Sequence, residues 1–187
     1  MTFDPTKHSH CRYNPLKDEW VLVSPQRLSR PWQGRVEDNQ NDDDDNEQET
    51  NSNQPSTNPL CPGAIRGKNK EANPFYEHTY VFENDFPSLL SEIPESKDNN
   101  DDLFQCQPAR GTCKVICFHP NSKLTLARMT LEDIAHVVHT WLDVFRELAD
   151  RYRWVQIFEN RGDIMGCSSN DSSFIFAQCL PICLFSS

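Results

Sequence analysis

"TLEDIAHVVHTWLDVFRELADRYRWVQIF", Thr130 to Phe158, decides the fold. Ile134, Val137, Val138, Trp141, Phe145, Leu148 and Tyr152 recur at three- and four-residue intervals, the period of one helix face. Thr130 stands where a capping hydroxyl is wanted. Glu132 and Asp133 place negative charge in the first turn, against the positive end of the helix dipole. The spacing predicts a helix over Thr130 to Tyr152. "WVQIF", Trp154 to Phe158, follows at once with the apolar density of a strand.

Upstream, "EWVLVS" (Glu19–Ser24), "TYVFEN" (Thr79–Asn84) and "KVICF" (Lys114–Phe118) read as strands. The last is apolar throughout, as a strand covered on both faces would be. Strands, one long amphipathic helix and a returning strand make an α+β protein with the helix laid on one sheet face.

Charge is unevenly placed. The chain has 187 residues, 18 Lys and Arg against 28 Asp and Glu, and a formal charge of −10. The run 38–58 holds seven acids and no base, and it has no hydrophobic residue to offset its ordering entropy. Residues 91–102 add five acids and one lysine. Both runs are expected to be disordered inserts. The remainder is close to neutral, so acidity is a loop property and no nucleic-acid partner is expected. The start, "MTFDPTKHSH", has no apolar stretch, and the final apolar run is short and broken by Pro181. The expectation is a cytoplasmic protein with no membrane partner. Its eight cysteines form no CxxC pair and are expected as thiols, with Cys113 and Cys117 buried on one strand face.

Several residue groups carry possible chemistry. Arg27 and Arg30 lie three apart in a loop, and guanidinium forks suit phosphate oxygens. Asn84 and Asp85 end a strand, where they can hydrogen-bond a ribose or equally cap the turn. Asn160, Gly162, Gly166, Cys167 and Ser168 form a strand-to-loop exit in which backbone can approach a ligand closely. His136, His139 and Asp143 on the helix, and His8, His10 and Cys11 near the start, are metal-ligand types. The first group lies on the polar helix face and the second in a polar terminal segment expected to be loose.

The order of five blocks resembles the amino-terminal half of the galactose-1-phosphate uridylyltransferase family. They are "RYNPLKDEWVLVSPQRLSRPWQG", "NPLCPGAIRG", "YVFENDFPSL", "ARGTCKVICFHP" and "WVQIFENRGDIMGCS". The resemblance implies a histidine-triad-like antiparallel sheet, a homodimer, and exchange of a uridylyl group between UDP-glucose and galactose 1-phosphate. The implied route is ping-pong, through a uridylyl-histidine. It implies phosphate contacts from Arg27 and Arg30, uridine and ribose contacts from Asn84 and Asp85, and phosphate wrapping by Asn160, Cys167 and Ser168.

After "MGCS" the family carries Asn-Pro-His-Pro-His, which includes the nucleophile. This chain reads "SNDSSFIFAQCLPICLFSS" and has no histidine after His139. A domain over 1–168 is therefore expected, followed by an unrelated tail over 169–187 and a sheet left incomplete. Activity is expected to be absent. The alternative function is a non-catalytic nucleotide-binding or dimerising fragment. The zinc that some family members hold with a Cys-x-x-Cys pair is also in question. The pair reads Asn58-x-x-Cys61, leaving Cys61 as the metal-ligand candidate, with His119 displaced from the later ligand position.

Overall fold

The computed structural model describes residues 2–29, 58–66, 70–96, 101, 103–122 and 124–159, and the backbone of 174–180. Its strands are β1 (His10–Asn14), β2 (Glu19–Val23), β3 (Ile65–Arg66), β4 (Glu71–Ala72), β5 (Tyr80–Glu83), β6 (Cys106–Pro108), β7 (Cys113–Cys117), β8 (Trp154–Phe158) and β9 (Phe174–Leu180). The helix α1 spans Leu131–Ala149. Three sheets form, in the orders β2-β1-β6, β3-β4 and β5-β7-β9-β8. Every strand pairing in them is antiparallel.

α1 begins as its sequence dictates. Thr130 accepts from the Asp133 backbone N–H, and its own hydroxyl donates to Asp133 Oδ2 at 2.6 Å. That hydroxyl, before smaller effects, holds the Asp133 carboxyl below its ordinary value. The helix ends at Ala149, short of the expected Tyr152, whose N–H still reaches back to the Leu148 carbonyl.

β7 is the middle of the core. Val115, Ile116 and Cys117 are all buried. Side chains alternate across a strand. Ile116 faces α1 with Phe118, Met129, Val137, Val144 and Leu148. Val115 and Cys117 face the other way, toward Phe82, Leu60, Tyr76 and Tyr80. Two-sided cover, expected from the unbroken apolar run, is what the structure has. Cys113 and Cys117 are both buried thiols on the same strand parity.

Three expectations need correction. The inward stripe of α1 is Ile134, Val137, Trp141, Val144 and Leu148, while Val138 and Phe145 lie exposed on the outer side. The amino-terminal segment is not loose. Ser9, His10 and Cys11 are buried, and Ser9 Oγ donates to the Ala109 carbonyl and accepts from the Leu90 N–H. The second acidic run is not disordered throughout. Ile93 is buried, and its carbonyl accepts two bonds from Arg110. The first run lies outside the described residues except for Asn58.

The segment after Ser168 has a place in the sheet. β9 lies between β7 and β8, with Ile175 opposite Ile116 and Ala177 opposite both Lys114 and Ile157. Among the described residues no helix is long and apolar enough to cross a membrane.

Leu148 is fully buried against this sheet. Leu148→Ala removes packed volume that rigid neighbours cannot refill. It should cost about 3 kcal/mol of stability, read by urea unfolding.

Candidate functional site

Two loops converge beside β5 and β7. Ser24 Oγ donates to the Ser88 carbonyl at 2.6 Å, and Gln26 Nε2 donates to the carbonyls of Pro87 and Ser88. These bonds tie the one-turn helix Pro25–Ser29, which carries Arg27, to the loop that carries Asn84 and Asp85. Arg27 is exposed at this junction. Gln26 Oε1 is buried there and accepts no hydrogen bond. Arg30, Asn160, Cys167 and Ser168 lie outside the described residues, so Arg27, Asn84, Asp85 and Cys61 are the candidates whose positions are known.

Asn84 does what a turn-capping residue does. Its Oδ1 accepts from the Phe86 N–H at 3.0 Å, and its own N–H donates to the Cys113 carbonyl at 2.8 Å. Asp85 is held by a residue that the sequence reading overlooked. Arg66 Nη1 donates to both Asp85 oxygens, each at 2.7 Å. The Arg66 side chain is 9% exposed and that of Asp85 is 26%.

Arg66 is itself fixed from three sides. Its Nε donates to Asn73 Oδ1 at 2.8 Å, its guanidinium carbon lies 3.7 Å from the centre of the Phe82 ring, and Asp85 faces its tip. Burial works against its charge, but the bonds to Asp85 and Tyr80 outweigh burial and hold the guanidinium above its ordinary value. Asn73, 3% exposed, extends the network, because its Nδ2 donates to the carbonyls of Pro59 and Cys61. The turn bearing Cys61 is thereby connected through Asn73 and Arg66 to Asp85. The only sequence signal for Arg66 was its place in the "NPLCPGAIRG" block. Two-residue strands such as β3 carry too little periodicity to be seen.

At the position paired with Cys61 stands Asn58. Asn58 Oδ1 accepts from the Leu60 N–H at 2.9 Å, shaping a turn where the zinc pair would need a thiolate. The nearby Cys117 thiol is pushed up to about 12, chiefly by burial, so it stays protonated at neutral pH. Among the described residues no group of three or more His, Cys, Asp or Glu can hold a metal. The helix trio is not gathered either. His136 stacks on His78 with ring centres 4.0 Å apart, whereas Asp143 pairs with Arg146 at an exposed position. Near the start, His10 Nε2 accepts from Arg12 Nε at 2.9 Å. Nδ1 is then the protonated nitrogen and donates to the His8 carbonyl at 2.8 Å. Both His10 nitrogens are engaged and neither is offered to a metal.

The α+β arrangement of antiparallel sheets and one long helix is that of the uridylyltransferases. A solved uridylyltransferase superposes with a TM-score of 0.63 at 20% identity, over 92% of this chain and 46% of the other. A uridylyltransferase mutant gives 0.61 at the same identity, over 92% and 45%. The family model described as galactose-1-phosphate uridyl transferase, N-terminal domain, matches residues 1–178, reaching past Ser168 into β9. The chain belongs to that family. It is 50% identical over 169 residues to a probable galactose-1-phosphate uridylyltransferase of Drosophila melanogaster, covering 90% of this chain and 46% of the relative. It is 48% identical over 168 residues to the galactose-1-phosphate uridylyltransferase of Rattus norvegicus, covering 90% and 42%. The chain thus spans about half the length of the curated relatives it matches.

Two tests follow from the local physics. Asp85→Ala strands a buried guanidinium, whereas Arg66→Met leaves a carboxylate that can turn toward water. The first should cost about 3 kcal/mol and the second measurably less, by chemical denaturation. Burial depresses the His10 pKa, with the Arg12 charge adding to it. Its neutral form is favoured in the folded chain, so its contribution is fully present above the unfolded value near 6.5. That contribution is lost as pH falls from there through the lower folded value. His10→Gln should flatten the fall in melting temperature over that acid window.

Proposed function

We propose that the chain is a non-catalytic amino-terminal half of a galactose-1-phosphate uridylyltransferase, retaining contacts for a uridine diphosphate sugar. In the full reaction, UDP-glucose gives up a uridylyl group to a histidine and releases glucose 1-phosphate, and galactose 1-phosphate then takes the group to form UDP-galactose and free the histidine. A phosphoanhydride linkage is exchanged for a near-equivalent one, so little net energy is needed. The protein's work is to position the α-phosphate and to spread its developing charge.

The observation that carries the reading is at the end of the sheet. Between β8 and β9 the sequence runs through "NRGDIMGCSSNDSS", and neither that stretch nor β9 contains a histidine. Where the family resemblance calls for the nucleophile there is no imidazole, and the covalent route has no acceptor atom. Cys167 has no histidine nearby in sequence to serve as its base.

Binding is a separate matter from chemistry. Arg27 offers an exposed guanidinium to phosphate, beside the buried acceptor of Gln26. Asp85 is held in place by Arg66, with a quarter of its side chain open, and keeps lone pairs for a ribose hydroxyl. Arg30, Asn160, Cys167 and Ser168 complete this reading as phosphate contacts. The reading includes no zinc, because Cys61 stands opposite Asn58 where the pair would need a second thiolate.

Incubating the chain with UDP-glucose labelled in its uridine should leave no acid-labile label on the protein. Titration with UDP should shift amide resonances near Arg27 and Asp85. Acid-labile uridylyl-protein would overturn the claim of inactivity, and an unchanged spectrum would overturn the claim of binding.

A further inference from the structure

The nucleotide reading gives Asp85 a ligand and leaves Arg66 without a task. The Arg66 side chain is 9% exposed and meets Asp85 from the protein side, while 26% of the Asp85 side chain stays open. A single nitrogen, Arg66 Nη1, donates to both carboxylate oxygens at 2.7 Å. The equal distances hold the two oxygens level, with neither turned back into the loop. A carboxylate offers acceptor sites on both oxygens beyond the one bond each receives here. Each oxygen of Asp85 therefore keeps a lone pair for a donor that arrives from the open side.

We propose that Arg66 is a positioning residue, which presents both oxygens of Asp85 to the vicinal hydroxyls of a ribose and so sets a preference for ribonucleotides over 2′-deoxyribonucleotides. The proposal rests on the nucleotide reading above, and adds to it a selectivity and the residue that sets it. A vicinal diol carries two O–H donors on neighbouring carbons, close enough to reach both oxygens of one carboxylate. A 2′-deoxyribose has lost one of them, and an oxygen fixed where that donor belongs is left without it. A carboxylate free to turn would follow the remaining hydroxyl and would discriminate less.

The arginine is fixed well enough for this role. Its Nε donates to Asn73 Oδ1 at 2.8 Å, and Asn73, 3% exposed, is anchored in turn on the carbonyls of Pro59 and Cys61. The guanidinium carbon lies 3.7 Å from the centre of the buried Phe82 ring. The main chain beside Asp85 is held independently. Asn84 donates its N–H to the Cys113 carbonyl of β7, and its Oδ1 accepts from the Phe86 N–H. Backbone held by β7 and side chain held by Arg66 together leave the carboxylate one direction, set before any ligand arrives.

NMR titrations of the full 187-residue chain with UDP and with 2′-deoxy-UDP test the assignment. The wild type should bind UDP about tenfold more tightly than 2′-deoxy-UDP. Arg66→Met should bring the two affinities within about twofold, chiefly by weakening UDP. Asp85→Asn should do the same, and adding Arg66→Met to it should change the ratio no further, because the arginine acts through the aspartate. A general loosening of the fold would weaken both ligands alike and leave the ratio where it was. A measurement on the unaltered chain is independent of how the variants fold: at saturation, the Arg66 Nε resonance should move further with UDP than with 2′-deoxy-UDP. A wild type that binds neither nucleotide would overturn the nucleotide reading, and this inference with it. A wild type that binds both equally would overturn this inference alone. So would an Arg66→Met variant that keeps the preference, an Arg66→Met effect on the ratio that persists in Asp85→Asn, or an Arg66 resonance that responds equally to the two ligands.

Discussion

Strand β7 must be covered on both faces. Val115, Ile116 and Cys117 are apolar in succession, and a strand turns consecutive side chains to opposite sides. Helix α1 meets the demand on one side through Val137, Val144 and Leu148. On the other, the covering layer is Leu60, Tyr76, Tyr80 and Phe82. Leu60 lies in the turn that bears Cys61, and Phe82 is the ring over which Arg66 sits. Burying one strand therefore also positions the candidate site.

The polar network beside that layer converts packing into fixed direction. Asn73 is nearly inaccessible, so its amide must find partners inside the protein. It finds them in the carbonyls of Pro59 and Cys61 and in Arg66. Arg66, held by Asn73 and by the Phe82 ring, presents its guanidinium tip to Asp85. A carboxylate at a loop end is ordinarily free to swing. Here one rotamer is selected by a nearly buried cation, which is how a loop residue can be positioned for a ligand at small entropic cost.

How much of this was legible depends on how far each signal reached along the chain. The helix, its Thr130 cap and the strands β2, β5, β7 and β8 were visible because periodicity and capping are local. The inward face of α1 was not. Apolar residues run from Val144 through Leu148, Ile134 and Phe145 to Ala135 around the helix, about half its circumference. The 3.6-residue period cannot say which part of so wide an arc meets the sheet, and the fold buries Val144 while leaving Val138 and Phe145 exposed. β1, with the sequence "HCRYN", has no alternation of its own and is held by pairing with β2 and β6. The candidate site divided the same way. Arg27, Asn84 and Asp85 were legible as residue types at strand and loop ends. Arg66 was not, since its partner lies nineteen positions away and is reached by tertiary packing alone.

β9 separates what the fold requires from what the chemistry requires. The slot between β7 and β8 needs backbone donors and acceptors on both sides, and any extended segment of the right length can supply them. With apolar strands on either side, "FIFAQCL" suits that position by composition, and Gln178 comes opposite Cys113 and Gln156 there. A nucleophile is a different demand, met by one imidazole at one place. The ladder is indifferent to side chains, so a segment without histidine can complete the sheet. Under the proposed reading, transfer chemistry is lost at this strand while the framework that would grip the nucleotide is kept. The two losses need not accompany each other, because hydrogen bonds of the main chain hold one and a single side chain carried the other.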